Sequence, residues 1–238
     1  MSRPIFGPHP HAGVSVMTYM HPDSEGSFRN RDSHGDGSII EPGGVHVTQA
    51  GIGIQHDEVP EHTGTDCHGF QIWINHADQD RLVPPRAFHA KAHEIPEVIK
   101  GSVRVRVIQG SYQGHTAPFT LVTPITLLDT TLAPRTSLTL PGEEMTFLYV
   151  TSGKGWVAGR EINAHDIVLF EKEGDAVEVQ ATQDNGISFM FASGVPHREP
   201  IVYGGPYVMT TARQLEDTQK RFARGEMGTL APLKAETV

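Results

Sequence analysis

The sequence predicts an all-β protein, and three observations carry that reading. Its 238 residues include 25 glycines and 17 prolines, which break the chain at short intervals. Between those breaks lie short runs that alternate apolar and polar residues, the period of a half-buried strand. Only one stretch, near the C-terminal end, has the spacing of a helix.

Taken in order, "FGPHPHAGVSV" (6–16) leads into a first strand, "VSVMTYM" (14–20). "GGVHVTQAG" (43–51), "HGFQIWIN" (68–75) and "SVRVRVIQG" (102–110) follow. In "HGFQIWIN" the residues Phe70, Ile72 and Ile74 share one face, which should be core. A second ladder comprises "ITLLDTTLAP" (125–134), "MTFLYVTSG" (145–153), "GWVAGREI" (155–162), "DIVLFEK" (166–172), "AVEVQAT" (176–182) and "ISFMFASG" (187–194). Each half is spaced as a sandwich or barrel, with a less regular hinge over about 111–124. In "TARQLEDTQKRFARGEMG" Leu215 and Phe222 are seven apart, Arg221 and Arg224 fall in the last turn and Gly225 supplies the stop. That helix should pack across the outside of a sheet.

Composition narrows the function. The chain is long enough to bury a large core without disulfides. Cys67 is its one cysteine, so an intrachain disulfide and a thiolate-rich metal site are both excluded. The first residues lack an apolar signal core and no run reaches the roughly 18 apolar residues of a membrane span, so a soluble cytoplasmic protein is expected. A formal net charge of −9 repels a phosphate backbone, which disfavours direct nucleic-acid binding.

Fourteen histidines are present, and all but His165 and His197 lie at or before His115. His9 and His11 are two apart, so on a strand both side chains share a face. His56 and Glu58 repeat the arrangement, with Asp57 directed the other way. If the two strands share one barrel, three neutral imidazoles and a carboxylate converge, a donor set suited to a divalent first-row transition metal. On a six-coordinate ion that set leaves two positions open for dioxygen, water or a chelating substrate.

At these residues the chain resembles the pirins, a family of two-barrel cupins. "PHPHAG" (8–13) looks like the family's His-Pro-His segment, and "FRNRDSHGDGSIIEPGGVHVTQAGIGIQHDEVPE" (28–61) resembles the stretch leading to its second ligand pair. "HGFQIWIN", "ITLLDTTLAP", "TFLYVTSGKGWV" and "REPIVYGGPYVMTT" resemble further parts of it. The resemblance runs from about 6 to 228. It implies a bicupin with an N-terminal metal-binding barrel over 1–115 and a C-terminal metal-free barrel with the terminal helix over 116–238. It also implies one divalent metal on His9, His11, His56 and Glu58, typically iron(II), with manganese, nickel, copper and zinc as alternatives.

Three departures from the family pattern stand out. Ala12, Val14 and Ser15 replace the usual arginine and phenylalanine-glutamate, which alters the shell that orients the histidines. Only eight residues precede His9, where family members carry several strands. An incomplete first barrel would leave a sheet edge open to a partner strand, such as one from a second copy. His46 stands where the family has glutamine; a partly exposed strand position is expected for it, against a place in the pocket where it would affect proton transfer.

Other residues read as ordinary structure. Glu143 and Glu144 face opposite ways on a strand and fit a solvated turn. His89 and His93, four apart, fit a solvated loop. Gln71 and Trp73 share the alternate face of their strand and could floor a pocket mouth, though packing is the commoner role. Cys67 lacks the basic setting of a nucleophile.

Two kinds of function follow from the resemblance. One is a metal-dependent dioxygenase of the quercetin 2,3-dioxygenase type, in which Glu58 also acts as general base toward a flavonol hydroxyl. The other is a regulatory protein whose metal state alters a surface for a transcription factor or a metabolic enzyme. A metal-binding fold without activity is the third reading.

Overall fold

A computed structural model describes residues 7–231 and 233. It divides into two compact units. The first takes the described parts of Met1–Glu94 and Arg198–Val238 together with Leu121–Thr123; the second takes Ile95–Thr120 and Pro124–His197.

The first unit begins with β1 (His9–His11), β2 (Val14–Met20), β3 (Phe28–Asp32), β4 (Ile39–Ile40), β5 (Val45–Gln49), β6 (Ile54–Pro60), β7 (Gly69–Asn75) and β8 (Arg86–Ala90). They form two four-stranded antiparallel sheets, ordered β1-β6-β3-β4 and β7-β2-β5-β8. In β2 and β5 every residue is buried, because these central strands are covered on both faces. The inner face of β2 meets the other sheet, as Thr18 donates its hydroxyl proton to Glu58 Oε2 at 2.7 Å. On the edge strand β7, Phe70 and Ile72 are half-buried and Ile74 is buried, while Gln71 and Trp73 are exposed. The expected core face is thus the more buried one.

The second unit contains β9 (Glu97–Lys100), β10 (Val103–Gln109), β11 (Ser111–Tyr112), β12 (His115–Thr116), β13 (Ile125–Leu132), β14 (Ser137–Pro141), β15 (Met145–Val157), β16 (Arg160–Asn163), β17 (Ile167–Leu169), β18 (Ala176–Ala181) and β19 (Ile187–Gly194). Its main sheet runs β14-β18-β15-β19-β13-β10-β9, with β16 and β17 also paired to β15. Strict alternation along β18 buries Val177, Val179 and Ala181 beside Leu148, Phe189 and Phe191. The sequence suggests two strands over 145–162, but β15 runs unbroken to Val157; the register shift between Val150 and Ser152 absorbs the irregularity. Glu143 and Glu144 lie in the turn before it.

Two further strands, β20 (Val202–Gly204) and β21 (Tyr207–Met209), and the helix α1 (Ala212–Ala223) complete the first unit. Thr211 caps the helix: its hydroxyl accepts from the Gln214 N–H, and the Gln214 side chain accepts in return from the Thr211 N–H. Leu215 packs against Ala12, Tyr207, Met209 and Met227. These units differ from a division at 115/116. β10 pairs with β13 over Val103–Leu132, which draws 97–109 into the second unit, and α1 rests on the β20–β21 hairpin of the first. Such long-range pairings leave no mark in local periodicity. Among the described residues no helix is long and apolar enough to cross a membrane.

Between β1 and β2, Gly13 holds φ +76° and donates its N–H to the Gly51 carbonyl at 2.8 Å. A Cβ there would stand 1.9 Å from the Val208 carbonyl oxygen. Gly13→Ala therefore combines left-handed strain with a backbone collision. It should lower stability by about 3 kcal/mol in urea unfolding, the upper end for such strain; an unchanged midpoint would contradict this close approach.

Candidate metal centre

The pairing of β1 with β6 sets His9 opposite His56 and His11 opposite Ile54. The three imidazoles meet, with ring centroids 4.8 to 4.9 Å apart. One nitrogen from each lies within 4.8 Å of the others. His11 and His56 are each 1% exposed, and His9 is half-buried.

Hydrogen bonds fix two of the rings. His9 Nδ1 donates to the Gly7 carbonyl at 2.9 Å, which leaves Nε2 as its lone-pair nitrogen. His56 Nδ1 lies 3.3 Å from Asn30 Oδ1, and the Asn30 amide nitrogen donates to Asp36 at 2.9 Å, so the oxygen faces the ring and accepts from Nδ1. His56 Nε2 and one ring nitrogen of His11 are buried without a hydrogen-bond partner, while the other His11 nitrogen is directed at the Pro206 backbone. Each such orphan costs about 1–3 kcal/mol. Burial, with the neighbouring His9, lowers the His11 pKa to about 3; burial, with His11 and His9, holds His56 well below its ordinary value. Buried His11 and His56, kept neutral, with a ring nitrogen of His9 beside theirs, supply what a divalent transition metal requires, and these residues fit one.

Glu58 lies two residues along β6 from His56 but outside the triad's close group. Its Oε2 accepts from Thr18 and, at 3.1 Å, from Gln71. Burial raises its pKa, partly offset by those two hydrogen bonds. Asp57 points the other way and is held by both ends of the Arg31 guanidinium.

Gln71 and Trp73 take the less expected of their two roles. Trp73, 44% exposed, stands edge-on to His11 with centroids 4.8 Å apart, so these side chains line the mouth of the site. His46 is fully buried rather than partly exposed, because β5 is enclosed on both faces. Its register partners are Thr18 and His89, and His89 belongs to β8 rather than to a loop. Sequence reasoning missed Asn30, whose signal was its place opposite Glu58 on a strand not recognised as one. Ala12 and Val14 are buried apolar residues and Ser15 bonds His76, so none of the three replaces Asn30 in orienting the triad.

Two antiparallel β units, the first enclosing converging imidazoles, define the class as a two-barrel cupin. Residues 3–74 match the Pirin family and residues 127–228 match the Pirin C-terminal cupin domain. A pirin-like protein of Arabidopsis thaliana is 34% identical over 91% of this chain and 73% of its own length. Pirin of Homo sapiens is 31% identical over 94% of this chain and 78% of its own length. The solved structure of quercetin 2,3-dioxygenase from Acinetobacter baumannii superposes with a TM-score of 0.86 at 26% identity, over 94% of this chain and 79% of that one. The chain belongs to the pirin family.

Burial lowers the His46 pKa to about 4 as well. In the metal-free protein the buried histidines stay neutral while the unfolded chain takes up protons below pH 6.5. Stability is therefore full above pH 6.5 and is lost as the pH falls from there toward the folded values near 4 and 3. Urea midpoints of the metal-free protein should fall between pH 7.5 and 5, and His46→Gln should fall less steeply; equal slopes would refute the neutral state of His46.

Proposed function

We propose that this pirin is a metal-dependent dioxygenase acting on a flavonol of the quercetin type, with iron(II) held by His9, His11, His56 and Glu58. One observation carries the reading: three imidazoles with ring nitrogens within 4.8 Å of one another, two of them buried, converge beside an exposed tryptophan and a hydrogen-bonded carboxylate. The likeness to the Acinetobacter dioxygenase supports the substrate class.

When bound, the ion supplies a Lewis-acidic centre where substrate oxygens and dioxygen meet, and an electronic route between them. The chain's own groups supply the rest. Both hydrogen bonds to Glu58 fall on Oε2, leaving Oε1 for the ion or for a substrate hydroxyl. A carboxyl with a raised pKa is the stronger base, and Glu58 takes the proton of that hydroxyl. Thr18 and Gln71 hold the carboxylate in place, so its orientation is set before substrate arrives. The Trp73 ring offers a flat apolar face to the flavonol at the entrance. Asn30 keeps His56 in the tautomer that presents Nε2 inward.

Elemental analysis of the wild-type protein should find metal, and metal should be lost in His56→Ala while the second unit stays folded by near-UV circular dichroism. Cys67→Ser should retain it. Metal retained in His56→Ala would sink the ligand assignment.

The reaction itself is tested by aerating an anaerobic mixture of iron-loaded protein and quercetin and following the flavonol absorbance. Turnover is expected, and Glu58→Gln should lower kcat by about 10²-fold, the usual scale for a general base. A metal-loaded protein that leaves quercetin intact would overturn the dioxygenase reading and favour a regulatory protein.

A further inference from the structure

A second convergent set of metal-ligating side chains lies past the far end of β2 from His11. His21 directly follows β2 and His68 directly precedes β7. The two strands run antiparallel with Met20 opposite Gly69, and the ladder extends one step further as the His21 N–H donates to the His68 carbonyl at 2.9 Å. Their rings lie 4.7 Å apart at 34°. Asp23 completes the group: its Oδ1 accepts from Nδ1 of His21 at 2.5 Å and from Nδ1 of His68 at 2.6 Å.

The backbone around the group is braced for this purpose. Pro22 fixes one dihedral between the first two ligands. The Ser24 N–H donates to the His21 carbonyl at 2.9 Å. Ser24 Oγ, nearly buried, accepts from the His68 N–H at 3.0 Å and donates to the Gly26 carbonyl at 2.8 Å. Three side chains from two chain segments are thus held with their donor atoms within 4.8 Å of one another. That preorganisation lowers the ordering cost of binding.

We infer that His21, Asp23 and His68 form a second, solvent-facing site for a divalent first-row transition ion. Two imidazoles and one carboxylate are the donor set of zinc, nickel or copper, and the ion carries water in its remaining positions. On binding, each ring moves the proton it carries on Nδ1 to Nε2, and the nitrogen lone pairs turn to the ion in place of the carboxylate. Asp23 and the side chain of His68 are exposed, so ions at this site exchange more readily than in the buried triad. An ion here pins the end of β7, the edge strand that carries Gln71 and Trp73. This site is independent of the reaction proposed above.

Zinc titration of the chelator-treated protein is the test, read by equilibrium dialysis with elemental analysis and by the histidine ring resonances in NMR. Wild-type protein should bind two equivalents. His68→Ala and Asp23→Asn should each bind one, and His56→Ala should still bind one, with the His21 and His68 resonances moving as it does. A wild-type protein whose single equivalent is lost in His56→Ala would overturn the inference. So would two equivalents in both His68→Ala and Asp23→Asn, or zinc uptake that leaves those resonances unmoved in wild type.

Discussion

The antiparallel pairing of β1 with β6 is the constraint on which the first unit turns. It brings residues 43 to 47 positions apart in sequence to opposite places on a ladder, and it alone makes a triad of two segments. A slip of one residue would send His9 and His11 to the other face, so everything that fixes the register protects the site. Gly13 ends β1 where no side chain fits, and a single bridge from Ala12 to Tyr207 anchors the same strand to the C-terminal hairpin. Fully buried Arg81 reinforces that junction by donating to the Gly13 and Val208 carbonyls and to Thr210.

The interior that results is unusually polar for a barrel. Asn30, Asp32, His46, Thr48 and His56 are all buried there. Part of that polarity is satisfied: Asp32 accepts from the N–H groups of His34 and Asp36, and Asn30 bridges His56 to Asp36. Asp36 in turn lies 3.9 Å from His46, whose ring is 5.8 Å from that of His89. What is left unsatisfied is concentrated on imidazole nitrogens. An interior that keeps bases neutral and unpaired gives up stability in exchange for a ready ligand set.

Much of this was legible in the sequence because strand periodicity and ligand spacing share the period of two. That coincidence put His9 with His11 and His56 with Glu58, and it marked Phe70, Ile72 and Ile74 as the more buried face of β7. The helix was legible too, from Leu215, Phe222 and Gly225, although its Thr211–Gln214 cap was overlooked. Less visible was anything that depends on which strands are neighbours. His46 looked half-exposed because nothing local shows that β8 covers its flank. His89 looked like loop because its spacing of four to His93 suits a helical turn rather than a strand and Pro96 follows closely. The displacement of 97–109 into the second unit rests on pairing with β13, which only the folded chain displays.

The C-terminal segment bears on how the protein is made. Ser33 donates to the Met227 carbonyl, Gln55 to that of Gly228 and Arg31 to that of Ala231, so the sheet carrying His56 is closed by residues some 170 to 200 positions downstream. During synthesis the second unit, drawn from 95–120 and 124–197, has emerged in full before these closing residues exist. Loop-closure entropy and high contact order then make the unit with the imidazole triad the later and slower of the two to finish. Until it does, β1 and β6 meet without their final fastening, and the nascent chain passes through a stage in which imidazoles meant for the interior are still open to the solution and to whichever ions it holds.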